Sequence, residues 1–138
     1  MFCLVSAGIE QQNHAFVVEA FTEHMATMLR ALDRLERDGF MFPERRITIM
    51  ATPDRAAPGD RIAAALAPAV VGRSLLEHPY YSGGLRFQIS ARSNEGMHVP
   101  LIDGGSFDWV ARLTSNRRAV YVASAIGSQL AAQLYRLP

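Results

Sequence analysis

The chain has 138 residues, 49% of them hydrophobic, with 14 basic and 13 acidic side chains and a net charge of +1. That length fits one folded domain with a single core, and that composition excludes a disordered chain. The near-neutral balance gives no bulk attraction to nucleic acid or to an anionic membrane, and the lone Cys3 excludes an internal disulfide.

Residues 2–9 are short, apolar and closed by Gly8 and a polar stretch, Gln11-Gln12-Asn13, so they read as a buried strand with Cys3 inert inside it. Asn13 is placed to cap the next element. Val17, Phe21, Met25, Met28, Leu32 and Leu35 recur at three- and four-residue steps, which predicts an amphipathic helix over 14–38 stopped by Gly39. Asp33 and Arg37 would pair on its outer side. Residues 46–52 alternate and are β-branched, a strand ended by Pro53. Pro58-Gly59-Asp60 reads as a turn, with a short helix from Asp60 to about Ala67.

Residues 85–92 give the clearest strand, with Leu85, Phe87, Ile89 and Ala91 facing one way and Arg86, Gln88, Ser90 and Arg92 the other. Asn94-Glu95-Gly96 turns the chain into a strand over 97–102. Next come a short helix at 107–113, a strand at 119–124 and a final helix marked by Ile126, Leu130 and Leu134. The expected fold is α+β, one domain over 1–138, with an antiparallel sheet and helices mainly on one face.

Three glycine turns sit beside these strands. Proline and two glycines in Pro79-Tyr80-Tyr81-Ser82-Gly83-Gly84 permit a sharp bend. Its tyrosines would either hold a planar ligand or pack on the sheet. In Asp103-Gly104-Gly105-Ser106-Phe107-Asp108, either acid would take an amino or imidazole group. Alternatively, Ser106 caps the next helix and Asp108 favours its positive end. Gly127 would admit a phosphate to the last helix or serve close packing. His14, His24, His78 and His98 fall at no metal-ligand spacing, and no metal site is expected. Ser82 and Ser106 lack a nucleophile-elbow context, and no P-loop or dinucleotide fingerprint is present.

The order of these signals resembles the later part of a histidyl-tRNA synthetase-like class II core. Val5-Ser6-Ala7-Gly8-Ile9-Glu10 looks like the outgoing strand of that family's motif 2, and Val18-Glu19-Ala20 begins a helix similar to the one after it. Tyr80-Tyr81-Ser82-Gly83 resembles the paired-tyrosine histidine-binding loop. Asp103–Asp108 resembles the glycine-rich second histidine motif, and Ala125-Ile126-Gly127-Ser128-Gln129-Leu130 resembles motif 3. The departures are Leu76 and Leu130, which stand where the family carries arginines, Gln129 in place of the adjacent acid, and an extra Gly84. Motif 1 and the incoming strand of motif 2 have no counterpart in the sequence.

The resemblance implies a small-molecule site built from Tyr80, Tyr81, Ser82, Gly83, Asp103, Gly104, Gly105 and Asp108, beside the polar strand face of Arg86 and Gln88. Were ATP a cofactor, Glu10 and Gly127 would lie at its site. Losing two arginines removes charge stabilisation of a phosphate-bearing transition state. The implied function is therefore a divergent, non-aminoacylating protein that binds an amino acid or similar metabolite. The family includes a non-catalytic regulatory subunit of ATP phosphoribosyltransferase, so regulatory binding is one version of this reading. Half of an ATP-dependent carboxylate-activating site and an α+β interaction module without ligand are the alternatives. A homo-oligomer, or a chain lacking an N-terminal half, is expected, in the cytoplasm and away from membrane and nucleic acid.

Overall fold

A computed structural model describes residues 1–138. One six-stranded sheet organises it, in the order β1-β6-β5-β4-β2-β3. The strands are β1 (Phe2–Ile9), β2 (Arg46–Ala51), β3 (Val71–Leu75), β4 (Leu85–Arg92), β5 (His98–Phe107) and β6 (Ala119–Ile126). The helices are α1 (Ala15–Arg37), α2 (Ala56–Ala65), α3 (Trp109–Thr114) and α4 (Ser128–Leu134). All strand pairs are antiparallel except β2–β3. The α+β expectation and the strand alternation hold. No helix is long and apolar enough to cross a membrane.

The core lies between the sheet and α1. Val17, Phe21, Met25, Met28 and Leu32 from α1 meet Ile49, Phe87, Ile89 and Val122 from the strands, all of them buried. Phe21 meets Phe87 edge-on, with ring centroids 5.7 Å apart. Buried side chains of this size contribute about 1.5–3 kcal/mol each, which is why the long helical period dominates the fold. His24 is also buried on this face. Ser6 Oγ and Ser124 Oγ each lie 2.9 Å from one of its ring nitrogens, so both are satisfied.

Several expectations are corrected. β1 is an edge strand and largely exposed, because nothing packs beyond it; Cys3 is exposed with it. Asn13 does not cap α1. Glu10 does, its Oε1 accepting from the Phe16 N–H at 3.1 Å. Pro58-Gly59-Asp60 lies inside α2, where proline falls in the first turn and loses no intrahelical bond. The parallel strand β3 carries Gly72, Arg73 and Ser74, too polar to stand out as a strand. Asp33 pairs with Arg45, and the i,i+4 pair at the end of α1 is Arg34 with Asp38. β5 runs five residues past the expected 102, so Asp103 to Phe107 form strand and not loop.

Candidate functional site

The β3–β4 connection carries the paired tyrosines onto the end of β5. Ser82 Oγ accepts from the Asp108 N–H at 3.0 Å, and the Gly83 N–H donates to Ser106 O at 3.0 Å. Any side chain at Gly105 would collide with the Tyr81 ring, so this glycine lets Tyr81 lie flat on the strand. The two glycine segments therefore touch.

Their meeting place is a charged cluster. Tyr81 donates its hydroxyl proton to Asp103 Oδ1 at 2.8 Å. Arg86 forks onto the same carboxylate, Nε to Oδ1 at 3.0 Å and Nη2 to Oδ2 at 2.6 Å, and Gln88 Nε2 reaches Oδ2 at 3.4 Å. The Arg86 guanidinium also lies 4.8 Å from the Tyr81 ring centre. Burial, then the hydrogen bond to Asp103, pushes the Tyr81 hydroxyl up to about 12, so it stays a donor. The hydrogen bond to Asp103 raises Arg86 further above its ordinary value. Beside this cluster Tyr80, Phe107, Trp109 and Tyr121 pack ring on ring, Phe107 and Trp109 at 4.2 Å. Tyr80, Phe107 and Tyr121, with Cys3, Val5 and Ala123, border an open cavity of about 330 Å³.

Asp103 is thus saturated. Four donors within the fold use its lone pairs, which leaves it ill-suited to take a ligand's amino group. This corrects the role expected of it. Gly104 likewise serves packing, since a side chain there would strike Ser124 Cβ and the Phe87 ring.

Asp108 lies apart from Asp103. Strand alternation turns Asp103 and Phe107 to the aromatic face and Ser106 to the other, and Asp108 goes with Ser106. Both border a second cavity, of about 250 Å³, at the sheet end where β1 and β5 finish and β6 begins. Glu10, Asp54, Arg55 and Arg117 complete its polar wall, and Gly83 touches it from the tyrosine turn. Here the polar groups are not saturated. Glu10 Oε2, Arg55 Nε, Ser106 Oγ and Asp108 Oδ1 are all buried and all lack a hydrogen-bond partner. Ser106 is only 1% exposed. Arg112 approaches Asp108 Oδ1 no closer than 3.9 Å. Native proteins rarely leave buried polar atoms unpaired, and these four belong to residues that border one cavity.

The two carboxylate oxygens of Glu10 are used differently. One carboxylate oxygen accepts from the Gln11 and Phe16 amides, each at 3.1 Å, where α1 begins. The other oxygen, Oε2, is buried and has no partner. Gly127, expected to share a nucleotide with Glu10, sits at the far end of the β1–β6 pair. Eight residues of strand separate the two ends, about 25 Å. They do not border one pocket. The cavity at Gly127, about 470 Å³, is lined by Met1, Ser128, Gln129, Leu130 and Gln133, with no arginine or lysine. No cluster of three or more His, Cys, Asp or Glu side chains is placed to hold a metal ion.

Sequence reasoning missed Asp54, Arg55, Ser106 as a cavity residue, and Arg117. One signal was available: Glu10, Asp54-Arg55 and Asp108 each come just after the C-terminal end of a strand, and those ends lie at one edge of the sheet.

No family model and no curated protein matches the chain. Solved structures do. Apo histidyl-tRNA synthetase from S. aureus aligns at a TM-score of 0.70 and 14% identity, covering 95% of this chain and 38% of that one. The RNA-binding domain of threonyl-tRNA synthetase from Cryptosporidium parvum Iowa II aligns at 0.55 and 14% identity, covering 83% of this chain and 32% of that one. The chain therefore has the fold of a class II aminoacyl-tRNA synthetase-like domain, and it spans 38% and 32% of these two chains.

Proposed function

We propose that this chain binds a small amino-acid-like ligand on a divergent class II synthetase-like core, and does not aminoacylate tRNA. The observation that carries the reading is the set of four unpartnered buried polar atoms around one 250 Å³ cavity. Glu10 Oε2 and Asp108 Oδ1 accept from an ammonium or a protonated imidazole. Arg55 Nε, with Arg117 at the rim, donates to a carboxylate. Ser106 Oγ does either. A zwitterion satisfies both signs of charge, whereas a simple anion or cation leaves half the wall unpaired. The volume suits a molecule of amino-acid size and not a nucleotide.

In this reading Gly83 forms part of one wall, and Ser82 fixes its position by accepting from the Asp108 N–H. Arg86, Gln88 and Asp103 hold Tyr81 in place from the sheet and do not touch the ligand. Catalysis on ATP is not supported by the Gly127 end. Leu130 and Leu76 offer no charge to a phosphoryl group, and Leu76 is buried.

Calorimetric titration with single amino acids, histidine first, tests the reading, with ATP–pyrophosphate exchange run alongside. The expected result is saturable binding of one amino acid without exchange. Exchange activity would replace the reading with a carboxylate-activating enzyme. A flat titration with every amino acid would remove it.

A further inference from the structure

The strand-end cavity has a polar neighbour. A cavity of about 310 Å³ lies between the end of β2 and the β3–β4 connection, and the two share Asp54 and Gly83 in their walls. Thr52, Glu77, His78 and Ser82 belong to the second cavity alone. A Cβ at Gly83 would collide with Ser106 Oγ, which is buried and has no partner. An unsatisfied hydroxyl thus lies against a residue that both cavities share.

The second cavity has acceptors to spare and few donors. The amides of its turn are spent inside the fold. Ser82 N–H donates to Tyr80 O at 3.0 Å, Gly83 N–H to Ser106 O at 3.0 Å, and Gly84 N–H to Tyr81 O at 2.9 Å. The turn therefore has no amide left to cradle an anion. The Tyr81 hydroxyl is given to Asp103, and His78 takes the Tyr80 N–H on Nδ1 at 3.2 Å. No arginine or lysine lines this cavity. Its two carboxylates, Asp54 and Glu77, stand in no ion pair. Arg55 follows Asp54 in the chain, but its stem runs past Gly84, its Nη1 reaches His14 Nδ1 at 3.4 Å, and of the two cavities it borders only the first.

We propose that the ligand of the strand-end cavity is an α-amino acid with a second cation at the end of an unbranched side chain, of the lysine and ornithine class, and that this cation sits between Asp54 and Glu77. The proposal rests on the amino-acid reading above and adds the side chain to it. The α-ammonium and α-carboxylate stay with Glu10, Asp108, Arg55 and Arg117. The methylenes pass Gly83, and the terminal ammonium meets the two unpaired carboxylates.

The charge count agrees. The two walls together carry four carboxylates, Glu10, Asp54, Glu77 and Asp108, against two guanidiniums, Arg55 and Arg117. Arg112, 3.9 Å from Asp108, still leaves the acids in excess. A neutral zwitterion does not change that excess, and a ligand of net positive charge reduces it.

Calorimetry on the full chain at neutral pH tests the proposal with lysine, ornithine, histidine and norleucine. Norleucine has the lysine chain without its terminal amine. Lysine or ornithine should bind tightest, about tenfold tighter than norleucine. Glu77→Gln and Asp54→Asn should each pull the lysine-to-norleucine ratio toward one. Glu95→Gln, on the exposed β4–β5 turn, should leave that ratio at its native value. Norleucine or histidine binding as tightly as lysine would overturn the proposal and leave the amino-acid reading standing. A ratio that neither Glu77→Gln nor Asp54→Asn lowers would overturn it too, since the cation then lies elsewhere. Absence of binding by all four would remove the reading and the proposal together.

Discussion

Two cavities meet at the Tyr81–Gly83 turn, and they differ in how their polar groups are used. On the aromatic side Asp103 accepts from Tyr81, Arg86 and Gln88, and has nothing left to offer. At the strand end Glu10, Ser106, Asp108 and Arg55 each keep one buried atom without a partner. Both sides carry acids, arginines and a glycine bend, so composition alone does not separate them. Hydrogen-bond partners do. A saturated carboxylate builds structure, and an unsaturated one keeps an oxygen without a partner.

The largest effect should come from breaking the saturated side. Gly105→Ala drives a methyl group into the Tyr81 ring and to 2.6 Å from Leu85 O, and backbone cannot yield cheaply. The expected cost is about 3 kcal/mol of stability, read from denaturant unfolding. A neutral result would mean that Tyr81 does not lie on β5 as described.

A smaller effect belongs to a third set of buried polar groups. His24 is held neutral between Ser6 and Ser124, and burial lowers its pKa below 6.5. The unfolded chain therefore binds the proton more readily than the folded one below that pH. Stability from this group is complete above about pH 6.5 and is lost as pH falls through the lowered folded value. Thermal unfolding across pH 5–7 should show the loss, and His24→Gln should flatten it. An unchanged slope in that variant would assign the pH dependence elsewhere.

The elements that repeat regularly were legible in the sequence. The α1 period and the β4 alternation are long patterns of burial, and each survives in the fold with its faces as read. The hidden features depend on parity and neighbours. Asp103 and Asp108 look equivalent in a glycine-rich run, and only the extension of β5 to Phe107 turns Ser106 and Asp108 away from the aromatic face. β3 was invisible because its Gly72-Arg73-Ser74 centre is polar and its pairing is made by β2. β1 looked buried because its residues are apolar, while burial is set by what packs beside a strand. The capping role of Glu10 could not be read either, since the positive φ of Asn13 and His14 decides which side chain reaches the α1 amides.

The most direct test of the central contrast is amino-acid affinity measured side by side in Glu10→Gln and Asp103→Asn. In Glu10→Gln the carboxamide oxygen still caps α1, so the fold is retained while a charge-assisted contact to the ligand is lost. The expected penalty is about 1.5–3 kcal/mol, roughly ten- to hundredfold in affinity, measured by calorimetry. Asp103→Asn should bind nearly as the unmodified chain does. Unchanged binding in Glu10→Gln together with loss in Asp103→Asn would contradict the account and move the ligand to the aromatic cavity.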